Sequence, residues 1–163
     1  MIKPTDSWAT PVSVYKYFDE RYSFALDICA SHGNSKHKRY FTAEDDALAH
    51  DFDGAEWLKG RYIWCNPPYS KPMPWVELAI KNKALGIGTV MLIKNDCSTR
   101  WFELAVKNAN KIIFVTGGRI PFIAPAGIKS SSNNFSSCFF VFDHSLNGAA
   151  DQITEYLNIK EIL

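Results

Sequence analysis

Residues 64–69, with the sequence WCNPPY, carry the side chains whose types and spacing are best suited to chemistry. They follow an apolar run at residues 61–64 that is typical of a buried strand, and two prolines cannot continue a strand because they donate no ladder hydrogen bond. The strand must therefore end sharply here. Pro67 and Pro68 have fixed φ angles and free carbonyls, so one of these carbonyls and the side-chain oxygen of Asn66 can form a rigid pair of acceptors.

Such a pair of acceptors could hold an NH2 group that is bonded to an aromatic ring or to a carbonyl. The lone pair of that nitrogen is delocalised, and two acceptors that bind its hydrogens favour the partly tetrahedral nitrogen that forms as it attacks an electrophile. The ring of Tyr69 offers a face for stacking, a contact worth about 1–3 kcal/mol per base. The alternative interpretation is that Asn66 and the prolines only end a strand and that Tyr69 is a packed surface aromatic.

Length and composition indicate one compact domain, which we expect to span residues 1–163. The chain is 47% apolar and 21% charged, which excludes a disordered protein. Its net charge of +1 excludes a strongly basic protein. Any positive charge that contacts nucleic acid must therefore be local.

The four cysteines are far apart in the sequence and show no paired spacing. Because there is also no signal peptide and no apolar run of membrane length, the sequence predicts a protein of the reducing cytoplasm. A zinc site built from Cys29, His32 and His37 would lack a second well-formed pair of ligands. We therefore expect no metal, and we interpret these residues as a buried thiol beside surface histidines.

Hydrophobic periodicity predicts the elements that position these side chains. Helices are expected at residues 11–22, after Pro74, at residues 99–108 and, as a terminal helix, at residues 149–157. Strands are expected at residues 24–29, 39–42, 61–64, 88–93, 111–115 and 138–142. Because strands and helices alternate, we predict an α/β fold with a mostly parallel central sheet and helices on both faces.

Three informative turns follow predicted strands, at residues 27–31, 66–69 and 94–98. In α/β sheets, ligands bind beyond the carboxyl ends of the strands. We therefore expect a parallel sheet to bring these turns to one edge. A further segment, residues 117–137, is rich in Gly, Pro, Ser and Asn, and a loop of that length in a compact domain is usually functional or mobile.

The tetrapeptide at residues 66–69 resembles the catalytic motif of the amino-methyltransferases that use S-adenosylmethionine. The wider pattern is similar to that of the small phage-type DNA adenine methyltransferases, the Dam family, and it reads DSWATP … LDICAS … RYFTAEDDAL … WCNPPYS … LIKND…TRWF … GRIPF. The tetrapeptide alone is shared with enzymes that methylate glutamine or RNA guanine. The resemblance implies a reduced Rossmann-like class I methyltransferase fold in a cytoplasmic enzyme of a bacterial host, encoded by a phage or prophage.

The resemblance also implies catalytic roles for residues 66–69. Asn66 and the carbonyl of Pro67, followed by Pro68, would hold the 6-amino group of an adenine, and Tyr69 would stack on the base. The adenine would have to swing out of duplex DNA to reach these acceptors, because its amine is otherwise paired within the helix.

S-adenosylmethionine is the cofactor that the resemblance implies, and two segments match the family's contacts with it. Its methionine part would lie near the amino-terminal segment and near the turn after the first predicted strand. The matching residues are Trp8, Ala9, Thr10, Pro11, Asp27, Cys29, Ala30 and Ser31. Asp45 or Asp46 would bind the ribose or the adenine of the donor. Considered alone, Asp27 could instead be a helix-capping carboxylate, and Trp8 could be an ordinary core residue.

The resemblance includes no separate target-recognition domain, so loops would have to contact the DNA, with residues 117–137 as the strongest candidate. The residues proposed for this contact are Ser70, Lys71, Arg119, Lys129 and Asn133. Arg119 and Lys129 could equally be ordinary solvated charges. Two other functions stay open: methylation of RNA or of a protein glutamine, and a nucleic-acid-binding module with a decayed methyltransferase fold.

Overall fold

The structure is a computed structural model that describes residue 6 and residues 8–125, 134–145 and 151–163. Its helices are α1 (Val12–Tyr22), α2 (Met73–Ala84) and α3 (Arg100–Asn108). Its strands are β1 (Phe24–Asp27), β2 (Tyr62–Cys65), β3 (Gly88–Lys94), β4 (Lys111–Thr116), β5 (Ser137–Phe142) and β6 (Ile153–Asn158). Two of the predicted DNA contacts, Lys129 and Asn133, lie outside the described residues.

The strands form one sheet in the order β1-β2-β3-β5-β4-β6. β1, β2 and β3 pair in parallel, and β4 pairs in parallel with β6. β5 is antiparallel to both of its neighbours, so the other strands of the sheet all run in one direction. The prediction of an α/β fold with a mostly parallel sheet is confirmed.

Side chains of the central strands alternate between two cores, one on each face of the sheet. In β3, Val90 and Leu92 belong to one core, whereas Met91 and Ile93 belong to the other. The helix α1 covers the first core, and α2 and α3 cover the second. Because β3 is covered on both faces, its sequence is a continuous apolar run instead of an alternating one.

The predicted terminal helix at residues 149–157 is wrong. Residues 153–158 form β6, which extends the sheet beside β4. Ile153, Tyr156 and Leu157 have the spacing of a helical face, but isoleucine, threonine and tyrosine also favour strands, and the edge of β4 supplies a ladder of backbone hydrogen bonds. Local periodicity contains no information about that edge.

The predicted strand at residues 39–42 is also wrong. Tyr40 makes an isolated parallel bridge with Asp27 instead. The backbone N–H of Asp27 donates to the carbonyl of Arg39 at 3.0 Å, and the N–H of Phe41 donates to the carbonyl of Asp27 at 2.9 Å. The segment therefore lies beside β1 and closes the loop that follows this strand.

The parallel arrangement of β1, β2 and β3 brings their carboxyl ends to one edge of the sheet, as the sequence predicts. The register pairs Asp27 with Trp64. The turn after β1 consequently lies beside the turn after β2, and the Sγ atoms of Cys29 and Cys65 are 3.7 Å apart.

Candidate active site

Asn66 is the first residue after β2, and the two ends of its side-chain amide have different environments. Nδ2 donates a hydrogen bond to Oγ1 of Thr10 at 3.1 Å. Oδ1 is buried and has no hydrogen-bond partner among the described residues. Leaving a buried acceptor unsatisfied costs about 1–3 kcal/mol. This oxygen therefore does not stabilise the fold, and it could accept a hydrogen bond from a ligand that reaches it.

Of the two proline carbonyls that follow Asn66, one has a hydrogen-bond partner among the described residues and the other has none. The carbonyl of Pro68 accepts a hydrogen bond from the backbone N–H of Lys71 at 3.3 Å. The carbonyl of Pro67 accepts none within the part of the chain that the structure describes. Of the two carbonyls that the sequence offered as the second acceptor, the structure leaves that of Pro67 free.

Tyr69 packs edge-to-face against Phe122 and Phe135, with ring centroids 6.1 and 5.1 Å away. Its hydroxyl is buried, and no described residue meets hydrogen-bond geometry with it, including the neighbouring Ser137. Burial raises the pKa of Tyr69 well above its usual value. The ring is thus held by aromatic packing, which connects the end of β2 to the segment between β4 and β5.

A cavity of about 300 Å³ lies beside Asn66 and Pro68 at the carboxyl ends of β1 and β2. This volume is at the lower end of the range for small-molecule sites. Three residues that the sequence assigned to cofactor binding, Cys29, Ala30 and Ser31, line it. We refer to it as the large cavity.

A small cavity of about 20 Å³ shares Asp6, Cys29, Asn34 and Asn66 with the large cavity. Its lining includes four more of the predicted cofactor residues, which are Trp8, Ala9, Thr10 and Asp27. The remaining predicted residue of the amino-terminal segment, Pro11, is buried at the start of α1 and lines neither cavity.

Asp27 is only 2% exposed, and both of its carboxylate oxygens hold the loop after β1. Oδ2 accepts the backbone N–H of Lys36 at 2.9 Å, and Oδ1 accepts that of Cys29 at 3.4 Å. Burial raises the pKa of Asp27, and these two N–H donors oppose the increase. Asp27 therefore shapes the loop that lines both cavities, and it does not cap a helix.

The amino-terminal segment is anchored at two points, one in the segment after β4 and one just after the end of β2. Ala9 and Ile123 exchange backbone hydrogen bonds, each of 2.9 Å. Ser70 donates from its backbone N–H and from its hydroxyl to the carboxylate of Asp6, at 3.3 and 2.7 Å. Trp8, between these anchors, packs on the core and also lines the small cavity, so its two alternative roles are compatible.

The predicted ribose ligands Asp45 and Asp46 line neither cavity. The carboxylate of Asp45 accepts hydrogen bonds from the backbone N–H and the hydroxyl of Thr42, which lower its pKa. Asp46 has a left-handed backbone with φ of 45° and is exposed. Glu44, the first residue of this acidic run, lines the large cavity instead.

Sequence reasoning missed other residues at the two cavities. Trp75, in the first turn of α2, lines the large cavity together with Glu44 and Thr42. Lys36 lines the small cavity. The position of Trp75 could have been inferred, because α2 begins soon after the tetrapeptide and its first turn must remain near the end of β2.

The described DNA-contact candidates are all exposed. Ser70 and Lys71 directly follow the tetrapeptide, and Arg119 follows β4. The hydroxyl of Ser70 already has a partner, the carboxylate of Asp6. These positions are compatible with a contact to a large ligand, but they do not by themselves identify one.

Histidine and cysteine side chains near the cavities have other partners. Nδ1 of His32 lies 2.9 Å from the hydroxyl of Tyr40, and the Cys29 thiol contacts that of Cys65. Within the described ranges, no group of three or more His, Cys, Asp or Glu side chains is arranged to hold a metal ion. Nor does any helix in those ranges have the length and apolar character needed to cross a membrane.

Comparisons with known proteins are consistent with this site. A family model described as "DNA N-6-adenine-methyltransferase (Dam)" matches residues 2–163. The DNA N-6-adenine-methyltransferase of Haemophilus phage HP1 (strain HP1c1) is 40% identical over 142 residues, which cover 85% of this chain and 79% of the relative. The protein of the same name from Escherichia phage T1 is 31% identical over an alignment of 173 residues, which covers 96% of this chain and 70% of the relative. No solved structure matches the chain at a comparable level of significance.

Proposed function

This chain belongs to the DNA N-6-adenine-methyltransferase (Dam) family, and on that premise we propose that it transfers a methyl group from S-adenosylmethionine to the exocyclic 6-amino group of an adenine in DNA. The observation that carries this proposal is the pair of acceptors at the end of β2. Oδ1 of Asn66 and the carbonyl of Pro67 have no partner among the described residues, and a cavity of about 300 Å³ lies beside them.

In this proposal, the two acceptors bind the two N–H groups of the adenine amine. The hydrogen bond from Nδ2 of Asn66 to Thr10 fixes the amide orientation, so that Oδ1 faces the amine. The acceptors bind the developing tetrahedral nitrogen better than the flat ground-state amine, and this difference is what accelerates the reaction. No strong base is needed before the attack, because the amine becomes acidic only once it carries the methyl group.

The large cavity has the volume of a small-molecule site, and the small cavity adds room for about one water molecule. S-adenosylmethionine, when bound, supplies an electrophilic methyl group on a sulfonium sulfur. We assign the large cavity to the donor, with Trp75 as an apolar wall and Glu44 as an acceptor for the hydroxyl groups of its adenosine part, and the small cavity to the end of its methionine part. Holding the amine and the methyl group in line can contribute about 7–11 kcal/mol at best.

The adenine reaches the acceptors only after it leaves the duplex, since its amine is otherwise paired. Tyr69 would then stack on the extruded base. Its ring is held at a fixed angle by Phe122 and Phe135, which lowers the entropy cost of presenting it to the base. Among the exposed residues around this point, Ser70, Lys71 and Arg119 are our candidates for DNA contacts.

The substrate can be identified directly. The purified protein is incubated with S-adenosylmethionine labelled on the methyl group and, in parallel, with duplex DNA, RNA or a protein extract. We expect label in DNA, recovered as N6-methyladenine when the nucleosides are separated by mass. Label in RNA or in glutamine would show that the methyl acceptor is RNA or protein instead of DNA. A protein that binds DNA but neither the donor nor its demethylated product would be a decayed binding module.

A further inference from the structure

Lys36 is a half-buried cation at the small cavity, and its role is not explained by the fold alone. Its ammonium donates one hydrogen bond, to the carbonyl of Asn34 at 2.7 Å. An ammonium has three N–H donors. Two of them therefore have no hydrogen-bond partner in the part of the chain that the structure describes.

Among the described residues, the ammonium also lacks a direct ion pair. No carboxylate of the described residues lies within 4.0 Å of it, although Asp27 borders the same cavity. The Asp27 carboxylate is occupied by the backbone N–H groups of Lys36 and Cys29. Burial lowers the pKa of the Lys36 ammonium, and the charge of Asp27 opposes this shift. A partly desolvated cation with spare donors is a site for an anionic group.

The position of Lys36 decides which part of a ligand it can bind. The small cavity shares Asn66 and Cys29 with the large cavity, so a ligand that spans both would pass the acceptor of Asn66. The methyl donor has one anionic group, the α-carboxylate, at the end opposite to its adenine. Its α-ammonium and its sulfonium are cationic and would be repelled by Lys36.

We propose that Lys36 binds the α-carboxylate of the methyl donor and thereby orients the sulfonium methyl group towards Asn66. This inference rests on the proposed function, because it takes the methyl donor as the ligand. The carboxylate accepts hydrogen bonds from the spare N–H donors of Lys36 at the small cavity. The adenosine part then extends into the large cavity, away from the cation and towards Trp75 and Glu44.

A purely structural role for Lys36 is the competing explanation, since its ammonium binds the Asn34 carbonyl within the same loop. A structural role would affect every ligand of the site equally. A carboxylate contact would affect only ligands that carry the carboxylate. Two stable analogues separate these cases: S-adenosylhomocysteine, and decarboxylated S-adenosylhomocysteine, which keeps the adenosine, the thioether and the amine.

The test is calorimetric titration of both analogues into the unchanged protein and into Lys36→Met, which keeps most of the aliphatic side chain. We expect Lys36→Met to weaken S-adenosylhomocysteine binding about 10- to 100-fold. Binding of the decarboxylated analogue should stay unchanged or become somewhat tighter, because its amine is no longer repelled by Lys36. Lys36→Arg should retain most of the affinity. Lys38→Met, at an exposed position nearby, is the matched control and should bind both analogues normally.

The comparison is internal to each variant, so a partly unfolded preparation does not alter the ratio of the two affinities. Equal losses for both analogues, or no loss for either, would overturn the assignment of Lys36. If the unchanged protein binds neither analogue, the proposed function fails together with this inference. If it binds both equally well, the donor carboxylate has no partner here and only the inference fails.

Discussion

Nδ2 of Asn66 donates to Oγ1 of Thr10 at 3.1 Å, and this single bond leaves Oδ1 of the same amide buried and without a partner among the described residues. Thr10 comes from the segment before α1, whereas Asn66 follows β2, so the orientation of the proposed catalytic amide depends on a contact between distant parts of the chain.

Thr10→Val tests the orienting role of the hydroxyl. Valine has nearly the same shape but cannot accept the hydrogen bond from Nδ2, so the amide of Asn66 loses its fixed orientation. We expect the rate of methyl transfer to fall about 10- to 100-fold, which corresponds to the loss of one well-placed hydrogen bond. Thr10→Ser, which keeps the hydroxyl, should remain close to the unchanged protein. A Thr10→Val enzyme of full activity would show that the contact is dispensable.

Substitutions of Tyr69 should separate its stacking on the base from its contribution to the stability of the fold. Tyr69→Phe keeps the ring and removes a buried hydroxyl that has no described partner, so we expect the free energy of unfolding to stay the same or to rise by about 1 kcal/mol. Tyr69→Ala removes the contacts with Phe122 and Phe135 and should lower it by about 3 kcal/mol.

Denaturant titration measures these changes, and DNA binding measured in parallel should be weakened by Tyr69→Ala only. Equal DNA affinities in all three proteins would argue against stacking on the base. A large loss of stability in Tyr69→Phe would instead indicate that the hydroxyl has a partner when the protein is in solution.

The rate at which Cys29 is alkylated should show whether a ligand occupies the large cavity. Cys29 lines that cavity, whereas Cys97 is exposed on the turn after β3. Burial raises the pKa of Cys29 well above the usual thiol value, so its thiolate is scarce at neutral pH. Its alkylation should therefore still accelerate when the pH rises above the usual pKa of a thiol.

The measurement is the rate of alkylation of each cysteine, followed by peptide mass spectrometry. S-adenosylhomocysteine should slow the reaction at Cys29 and leave Cys97 unaffected, which makes Cys97 the internal control. Identical rates at Cys29 with and without S-adenosylhomocysteine would place the ligand elsewhere.

Glu155 connects β6 to the rest of the fold through an ion pair. Both of its carboxylate oxygens accept hydrogen bonds of 2.9 Å from Arg21 in α1, and Lys111 of β4 binds it as well. These partners, Arg21 first, lower the pKa of Glu155 from 4.5 to about 2. Because the pKa is lower in the folded state than in the unfolded state, the stabilisation is complete above pH 4.5 and is lost as the pH falls towards 2.

We expect Glu155→Gln to reduce the free energy of unfolding by about 1–2 kcal/mol at pH 7, a value discounted for the partial exposure of the pair. The difference between the two proteins should shrink between pH 4.5 and about 2. Denaturant titrations at several pH values measure it. A difference that is independent of pH would mean that the ion pair contributes little.

The sequence allows good prediction where the signal is local. The continuous apolar run of β3 identifies a strand that is covered on both faces, and the two prolines mark the end of β2. The family, the α/β class and the convergence of the turns at one sheet edge were predicted correctly. The insertion of β5 between β3 and β4 was not predicted, because strand order depends on long-range pairing that a local pattern does not encode.

The same limit applies within the site. Three consecutive acidic residues, Glu44, Asp45 and Asp46, look equivalent in the sequence, but only Glu44 lines the large cavity. The left-handed backbone of Asp46 and the hydrogen bonds from Thr42 to Asp45 decide which one does. Lys36 likewise stands close to other basic residues in the sequence, and only the path of the loop after β1 brings it to the small cavity.

The measurement that tests the central claim most directly is methyl transfer by Asn66→Ala compared with its affinity for S-adenosylhomocysteine. If Oδ1 of Asn66 is an acceptor for the adenine amine, formation of N6-methyladenine in duplex DNA should fall by about 100-fold or more. Calorimetry should find S-adenosylhomocysteine bound nearly as tightly as by the unchanged protein. Unaltered methylation by Asn66→Ala would contradict the account, and so would a loss of activity that is fully explained by failure to bind the donor.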